Sequence, residues 1–293
     1  MTMSRVEISS LTEGPIKSCA RVEVEKFEVG EMGPRWSRRW MVVGSDGKFM
    51  LSDKYPKMVF IEPRVSETDN VMVLKGRGYG WQIDVPINDE GSRRIVVMFT
   101  DSMRYEAVDD GFEAAQWLSG YLNVDGCRLV HMPADYVRKD SLGLARFGFA
   151  DSWSMSLGSD ASLDELNKKI LENGRNSVPK ERFGHDMWIA GIDPFAEDAW
   201  GKIKINGQVV AVVKPIERCS RTLVRREAET VDELLNKDKE PLATLATFRK
   251  EVQSGKTIFG QKLAPKWTGV PQEIHVGDEV EVLVYKSSPN LIE

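Results

Sequence analysis

Cysteine and histidine are both scarce in this chain, three of each in 293 residues. Cys19, Cys127 and Cys219 lie too far apart for the close spacings that iron–sulfur clusters and structural zinc sites use. They are also too few, in too long a chain, to make a disulfide framework. His131, His185 and His275 are as dispersed, so the fold alone would have to assemble any histidine-based metal site. No apolar run approaches the roughly eighteen residues of a membrane span. The first residues, Met1 to Arg5, lead into an alternating pattern rather than a charged then apolar leader, so the expectation is a cytoplasmic chain with no membrane partner. A net charge of −5 lacks the basic excess that a nucleic-acid-binding face requires, and no nucleic-acid partner is expected.

What the chain does contain is 41% hydrophobic and 29% charged residues, the balance of a soluble protein with a filled core, in a length that suits two domains. Short apolar segments separated by turn residues predict strands over 6–11, 22–29, 39–43, 48–51, 58–61, 70–74 and 93–99. Residues 111–121 break this pattern: Phe112, Ala115, Leu118 and Leu122 recur at helical spacing and predict a helix across the end of the first domain. Ser162-Leu163-Asp164-Glu165 reads as a capping box opening a second helix, with Leu163, Leu166, Ile170 and Leu171 as its buried stripe and Gly174 at its end. Strands follow over 187–190, 202–205 and 208–213, the last two joined by Asn206-Gly207, which favours a type I′ turn. Pro241 opens a third helix running to Arg249, and 278–285 is a closing strand. The expected fold class is mainly β with a few helices, in two consecutive domains.

Cys219 stands out chemically. It lies between Arg218 and Arg221, and cations beside a thiol favour the thiolate, the form that binds soft metals and acts as a nucleophile. Glu217 opposes them, and residue spacing alone leaves open a buried cysteine acting as a small apolar side chain.

Ten segments fall in one order along the chain: Pro15-Ile16-Lys17-Ser18-Cys19; Arg38-Arg39-Trp40 with Asp46-Gly47; Tyr55-Pro56-Lys57; Phe149-Ala150-Asp151; Ser159 to Leu163 with Leu166-Asn167; Phe195 to Trp200; Arg218-Cys219 with Thr222; Lys239 to Leu242; Phe259-Gly260-Gln261; and Val276-Gly277-Asp278. In these the chain resembles the MOSC family in its long form, as in amidoxime-reducing molybdoenzymes and the C-terminal part of molybdenum cofactor sulfurases. The resemblance implies an N-terminal MOSC β-barrel over 1–132 followed by a MOSC barrel over 133–293. It implies a molybdenum cofactor, a pyranopterin dithiolene with a terminal phosphate, whose metal takes Cys219 as ligand and catalytic residue. Lys17, Ser18 and Arg38 match cofactor-holding positions, and Asp151 and Ser152 match a polar pair near them. Arg218 is expected to join this set. The implied reaction is reduction of a small N-hydroxylated substrate, with electrons from a separate electron-transfer protein. Two other readings stay open: a carrier of cofactor or sulfur, and a degenerate member that catalyses nothing.

The chain departs from the family pattern at Ser37, where an acid is usual, and at Leu51-Ser52-Asp53, where Thr-x-Arg is usual. Gly184-His185-Asp186 stands for Arg-Pro-Asn, and Trp153 for a small residue. Arg182, two positions before Gly184, is expected to share a strand face with it and to replace the missing cation.

Overall fold

The computed structural model describes residues 5–286 apart from 89–92, 101–102, 134, 137, 139–145, 236–237 and 252–253. The fold is mostly β, with three α-helices among the described residues, and its curled sheets form two barrel-like modules. The larger sheet has eight strands, in spatial order Val280–Tyr285, Trp200–Ile205, Gln208–Glu217, Ile258–Pro265, Met155–Ser159, Met187–Ala190, Glu7–Glu13 and Val22–Val24. Ile8, Leu11, Leu157, Ile189, Ile203 and Leu263 point into its core and are essentially inaccessible. The other module combines the sheet of Trp40–Val43, Arg128–His131, Met103–Asp109 and Arg93–Thr100 with a three-stranded sheet, Ile61–Ser66, Val71–Gly76 and Ile83–Pro86.

The two modules are interleaved rather than strung end to end. Glu7–Glu13 and Val22–Val24, from the start of the chain, pair into the eight-stranded sheet, and Lys26–Gly30 pairs with Gln272–His275. Val224, Ala228 and Leu234, from late in the chain, are in turn buried in the core formed around Trp40, Phe60 and Trp117. Sheet pairing therefore crosses the sequence division at 132/133. The consequence is functional, because side chains from distant parts of the chain meet at the seam.

The expected strand at 58–61 is a 3-10 turn over Pro56–Phe60, and the strand begins only at Ile61. Pro56 starts that turn, its fixed φ suiting a helical first position. Residues 48–51 form only isolated bridges, and 22–29 is two strands, not one. The helix Gly111–Leu122 packs into the core through Trp117, Leu118 and Tyr121, while Phe112 is 75% exposed and takes no part. The second helix runs Asp160–Glu172, one turn earlier than the capping-box reading: Ser159 Oγ accepts from the Ser162 amide at 3.4 Å. Ser162 is free to donate its hydroxyl to Glu197 Oε1 at 2.8 Å, and Leu171 is exposed. The Asn206-Gly207 turn is as expected, with φ +44° and +81°. The third helix is Leu242–Phe248, capped by Pro241.

Gly260 sits at a tight contact inside the larger module. Its φ is +73°, and a Cβ there would overlap His185 Cε1 and lie 2.5 Å from the Leu157 carbonyl oxygen. Gly260→Ala is expected to cost more than about 2 kcal/mol, from backbone strain and a clash that buried His185 cannot relieve. Urea unfolding of the variant checks this: an unchanged midpoint would contradict the packing.

Candidate functional site

A cavity opens where the modules meet, and every residue singled out from the sequence lines it: Lys17, Ser18, Arg38, Asp151, Ser152, Arg182, Arg218 and Cys219. Cys219 follows the end of Gln208–Glu217, in extended backbone, and opens the 3-10 turn Ser220–Leu223. It is exposed, whereas Cys19 and Cys127 are buried. Burial pushes the Cys19 thiol far above its usual range, so it stays protonated although it too borders the cavity. Arg221 Nε donates to Cys219 Sγ at 3.4 Å.

Asp151 is the hinge of the charge arrangement. Its Oδ1 accepts from Lys17 Nζ at 2.6 Å, and its Oδ2 accepts from Arg221. Burial works against the carboxylate, but Lys17 and Arg221 hold its pKa well below the usual range. Lys17 is itself buried, and it also donates to the Phe149 carbonyl at 2.9 Å. Desolvation lowers it to about 8 despite Asp151. Ser18 has φ +69° and a buried hydroxyl with no partner among the described residues.

Arg38 is also left-handed at φ +55°, and its guanidinium reaches Asp186 at 3.1 Å and the Gly184 carbonyl at 3.3 Å. Asp186 is fully buried and draws in four further bonds: from Arg21 Nη2 at 2.5 Å, Ser37 Oγ at 2.8 Å, Ser156 Oγ at 2.6 Å and a second from Arg38 at 3.2 Å. The altered positions 37 and 186 therefore meet: the carboxylate absent at 37 is supplied from 186, and Ser37 donates to it. Where Gly184 has no side chain, Arg21 passes, its Cδ 3.8 Å from where a Cβ would stand.

The expectation for Arg182 is corrected. It lies in the 3-10 turn Lys180–Phe183 rather than a strand, so the two-residue spacing places no common face. Its guanidinium is held by Glu227 and the Glu240 carbonyl, which satisfies the charge within the protein. Arg218 behaves similarly. It donates to the Phe259 and Phe183 carbonyls at 2.6 Å and 2.9 Å and to His185 Nε2 at 2.8 Å, so it braces the cavity wall. Because arginine only donates, His185 Nε2 accepts and the ring is neutral; burial, then Arg218, lowers its pKa well below the ordinary value. Trp153 is buried at φ +62° and borders the cavity.

Three cations of the cavity were not singled out from the sequence, Arg21, Arg226 and Lys262, and a fourth, Arg221, was marked only as a neighbour of Cys219. Arg226 Nη1 donates to the Cys19 carbonyl at 3.0 Å, and its buried Nε has no partner among the described residues. Burial, and then the charge of Arg21, press its pKa downward. Lys262 Nζ donates to Ser152 Oγ at 2.6 Å, and burial, then Lys214, lower it to about 8. Only the flanking position of Arg221 beside Cys219 was a visible signal. Among the described residues no cluster of three His, Cys, Asp or Glu side chains is arranged to hold a metal. The arrangement suits an anion with a single-thiolate metal bond: Ser18 and Arg226 offer unused donors, and Cys219 offers an accessible sulfur.

Residues 5–125 match the MOSC N-terminal beta barrel domain and residues 145–281 the MOSC domain. The chain is 28% identical to mitochondrial amidoxime-reducing component 1 of Mus musculus, over 92% of this chain and 80% of that protein. It is 28% identical to the Xenopus laevis protein of the same name, over 93% and 81%. It is also 28% identical to molybdenum cofactor sulfurase of Danio rerio, over 89% of this chain but only 32% of that larger protein.

Proposed function

Since the chain belongs to the MOSC family, with a MOSC N-terminal domain preceding the MOSC domain, we propose that it is a molybdenum-cofactor oxidoreductase that reduces small N-hydroxylated compounds. The observation that supports this best is the pairing of an exposed Cys219 with a cationic cavity holding unused donors. Cys219 would supply a soft thiolate to molybdenum, and Ser18, Arg38 and Arg226 would hold the anionic end of the pterin. The cofactor supplies the two-electron redox chemistry. Reduction of an N–OH group to N–H takes two electrons and two protons and releases water. Lys17 Nζ, with its pKa lowered to about 8, would deliver one of those protons. Asp151 keeps Lys17 and Arg221 in register around Cys219, so it acts by positioning. Electrons would come from a separate protein, because the three cysteines have no cluster spacing. Among the described residues no helix is long and apolar enough to cross a membrane.

The test is molybdenum and pterin content of protein made in a host that synthesises the cofactor, followed by turnover of benzamidoxime with a chemical reductant. Stoichiometric metal with amidine formation supports the proposal. Pterin released without turnover points to a carrier, and absence of both metal and pterin to a non-catalytic member. Arg226→Gln is expected to lower pterin retention about tenfold or more, by removing a charge-assisted contact. Equal retention in wild type and variant would contradict this placement of the anionic end.

A further inference from the structure

The cavity carries more positive charge than its carboxylates neutralise. Asp151 is shared by Lys17 and Arg221, and Glu217 is taken by Lys256 at 2.6 Å. Lys262 is left with a neutral partner, the Ser152 hydroxyl, and among the described residues no carboxylate lies within ion-pair distance of it. Its position is set by the sheet rather than a loop. Lys262 pairs with Ser156 on one neighbouring strand and with Lys214 on the other.

Arg226, the other unmatched cation, belongs to a different neighbourhood. The charges acting on it are those of Arg21, Arg221 and Arg38, whereas Lys262 feels Lys214, Asp151, Glu217 and Arg218. Arg226 and Lys262 are therefore distinct cations of one cavity, each with its own set of charged neighbours.

We propose that Lys262, steadied by Ser152, is a carboxylate-binding position in the Cys219 cavity, so that the substrate is an N-hydroxylated compound that also carries a carboxylate. The N-hydroxyl part rests on the reductase function proposed above; the carboxylate part stands on the geometry of Lys262. An ammonium presented by a strand and held by a neutral hydroxyl binds a carboxylate by a charge-assisted hydrogen bond, worth about tenfold in affinity over a neutral analogue. Glutamine in its place keeps a donor, one atom shorter in reach, but loses the charge. Arginine keeps the charge.

Calorimetric titration of the full chain with benzoate and with benzamide tests the position without turnover. Benzoate is expected to bind about tenfold more tightly than benzamide, Lys262→Gln to erase the difference, and Lys262→Arg to keep it. Arg226→Gln is expected to weaken inorganic phosphate while the benzoate preference persists. Unchanged benzoate affinity in Lys262→Gln overturns the proposal. Turnover separates the two claims: the KM ratio of benzamidoxime to 4-carboxybenzamidoxime is expected to fall to near unity in Lys262→Gln. Protein that binds benzoate through Lys262 yet reduces neither compound upholds the anion position and overturns the reductase. Protein that reduces both compounds with the same KM ratio in wild type and Lys262→Gln upholds the reductase and overturns the anion position.

Discussion

Cys219→Ser is expected to purify as a folded protein with the melting temperature of metal-free wild type and with molybdenum at background. The side chain is exposed, and its described contact is the 3.4 Å hydrogen bond from Arg221, which a hydroxyl can also accept. Substitutions at such positions change stability by no more than about 0.5 kcal/mol. Metal retention is another matter. A serine hydroxyl is a hard donor that stays protonated at neutral pH, so it cannot stand in for a soft thiolate. No nearby group can take over, because Cys19 is buried with its thiol held protonated and Cys127 is buried in the core of the other module. Cys19→Ser and Cys127→Ser are the matching controls: each is expected to lower the melting temperature by placing a hydroxyl in an apolar site, and each should keep its metal. Metal analysis of the three variants decides between them. Full molybdenum content in Cys219→Ser would sink the ligand assignment.

The family and the fold class were legible because they rest on local features in a fixed order. Lys17, Ser18, Arg38 and Cys219 each sit in a recognisable segment, and the structure brings all four to one cavity. Arg21, Arg226 and Lys262 were not legible, because nothing in their local sequence marks them. Arg21 follows a segment that belongs to one core and precedes a strand of the other sheet, while Arg226 enters on the segment that crosses back over the seam. Only the interleaving of the modules makes them neighbours. The helix start at Ser159 was missed for a related reason. Ser159 and Ser162 both offer cap chemistry to the backbone, and the buried Glu197, thirty-five residues away, accepts from Ser162 and leaves Ser159 as the cap. The strand assigned to 58–61 failed on Pro56, whose preference for a helical first turn outweighed the apolar run after it.

Asp186 shows why a departure from a family pattern is not readable position by position. In the sequence it is an acid in place of an amide, beside a lost arginine and a lost acid. In the structure these changes form one set: Asp186 is the counter-ion of Arg38 and Arg21, and Ser37 and Ser156 complete its shell. Asp186→Ala is therefore expected to destabilise the protein by about 3–5 kcal/mol, because it leaves two arginines in the seam without their partner. Asp186→Asn should cost less, since the amide oxygen still accepts from Ser37 and an arginine, and its comparison with wild type isolates the charge. Burial opposes ionisation of Asp186, but Arg38 and Arg21 bring its pKa down to about 2, against about 3.9 in an unfolded chain. A depressed folded-state pKa stabilises fully above the unfolded value and fades as the pH falls toward the folded one. The stability difference between wild type and Asp186→Asn should thus be constant above about pH 5 and shrink by about 2 kcal/mol between pH 4 and pH 2. Urea unfolding across that range measures it, and a difference that stayed constant down to pH 2 would rule out an ionised Asp186 as the counter-ion. Because the same carboxylate aims Arg38 along the cavity wall, Asp186→Asn should also loosen the hold on an anionic ligand, so that stability and cofactor retention fall together as the charge is removed.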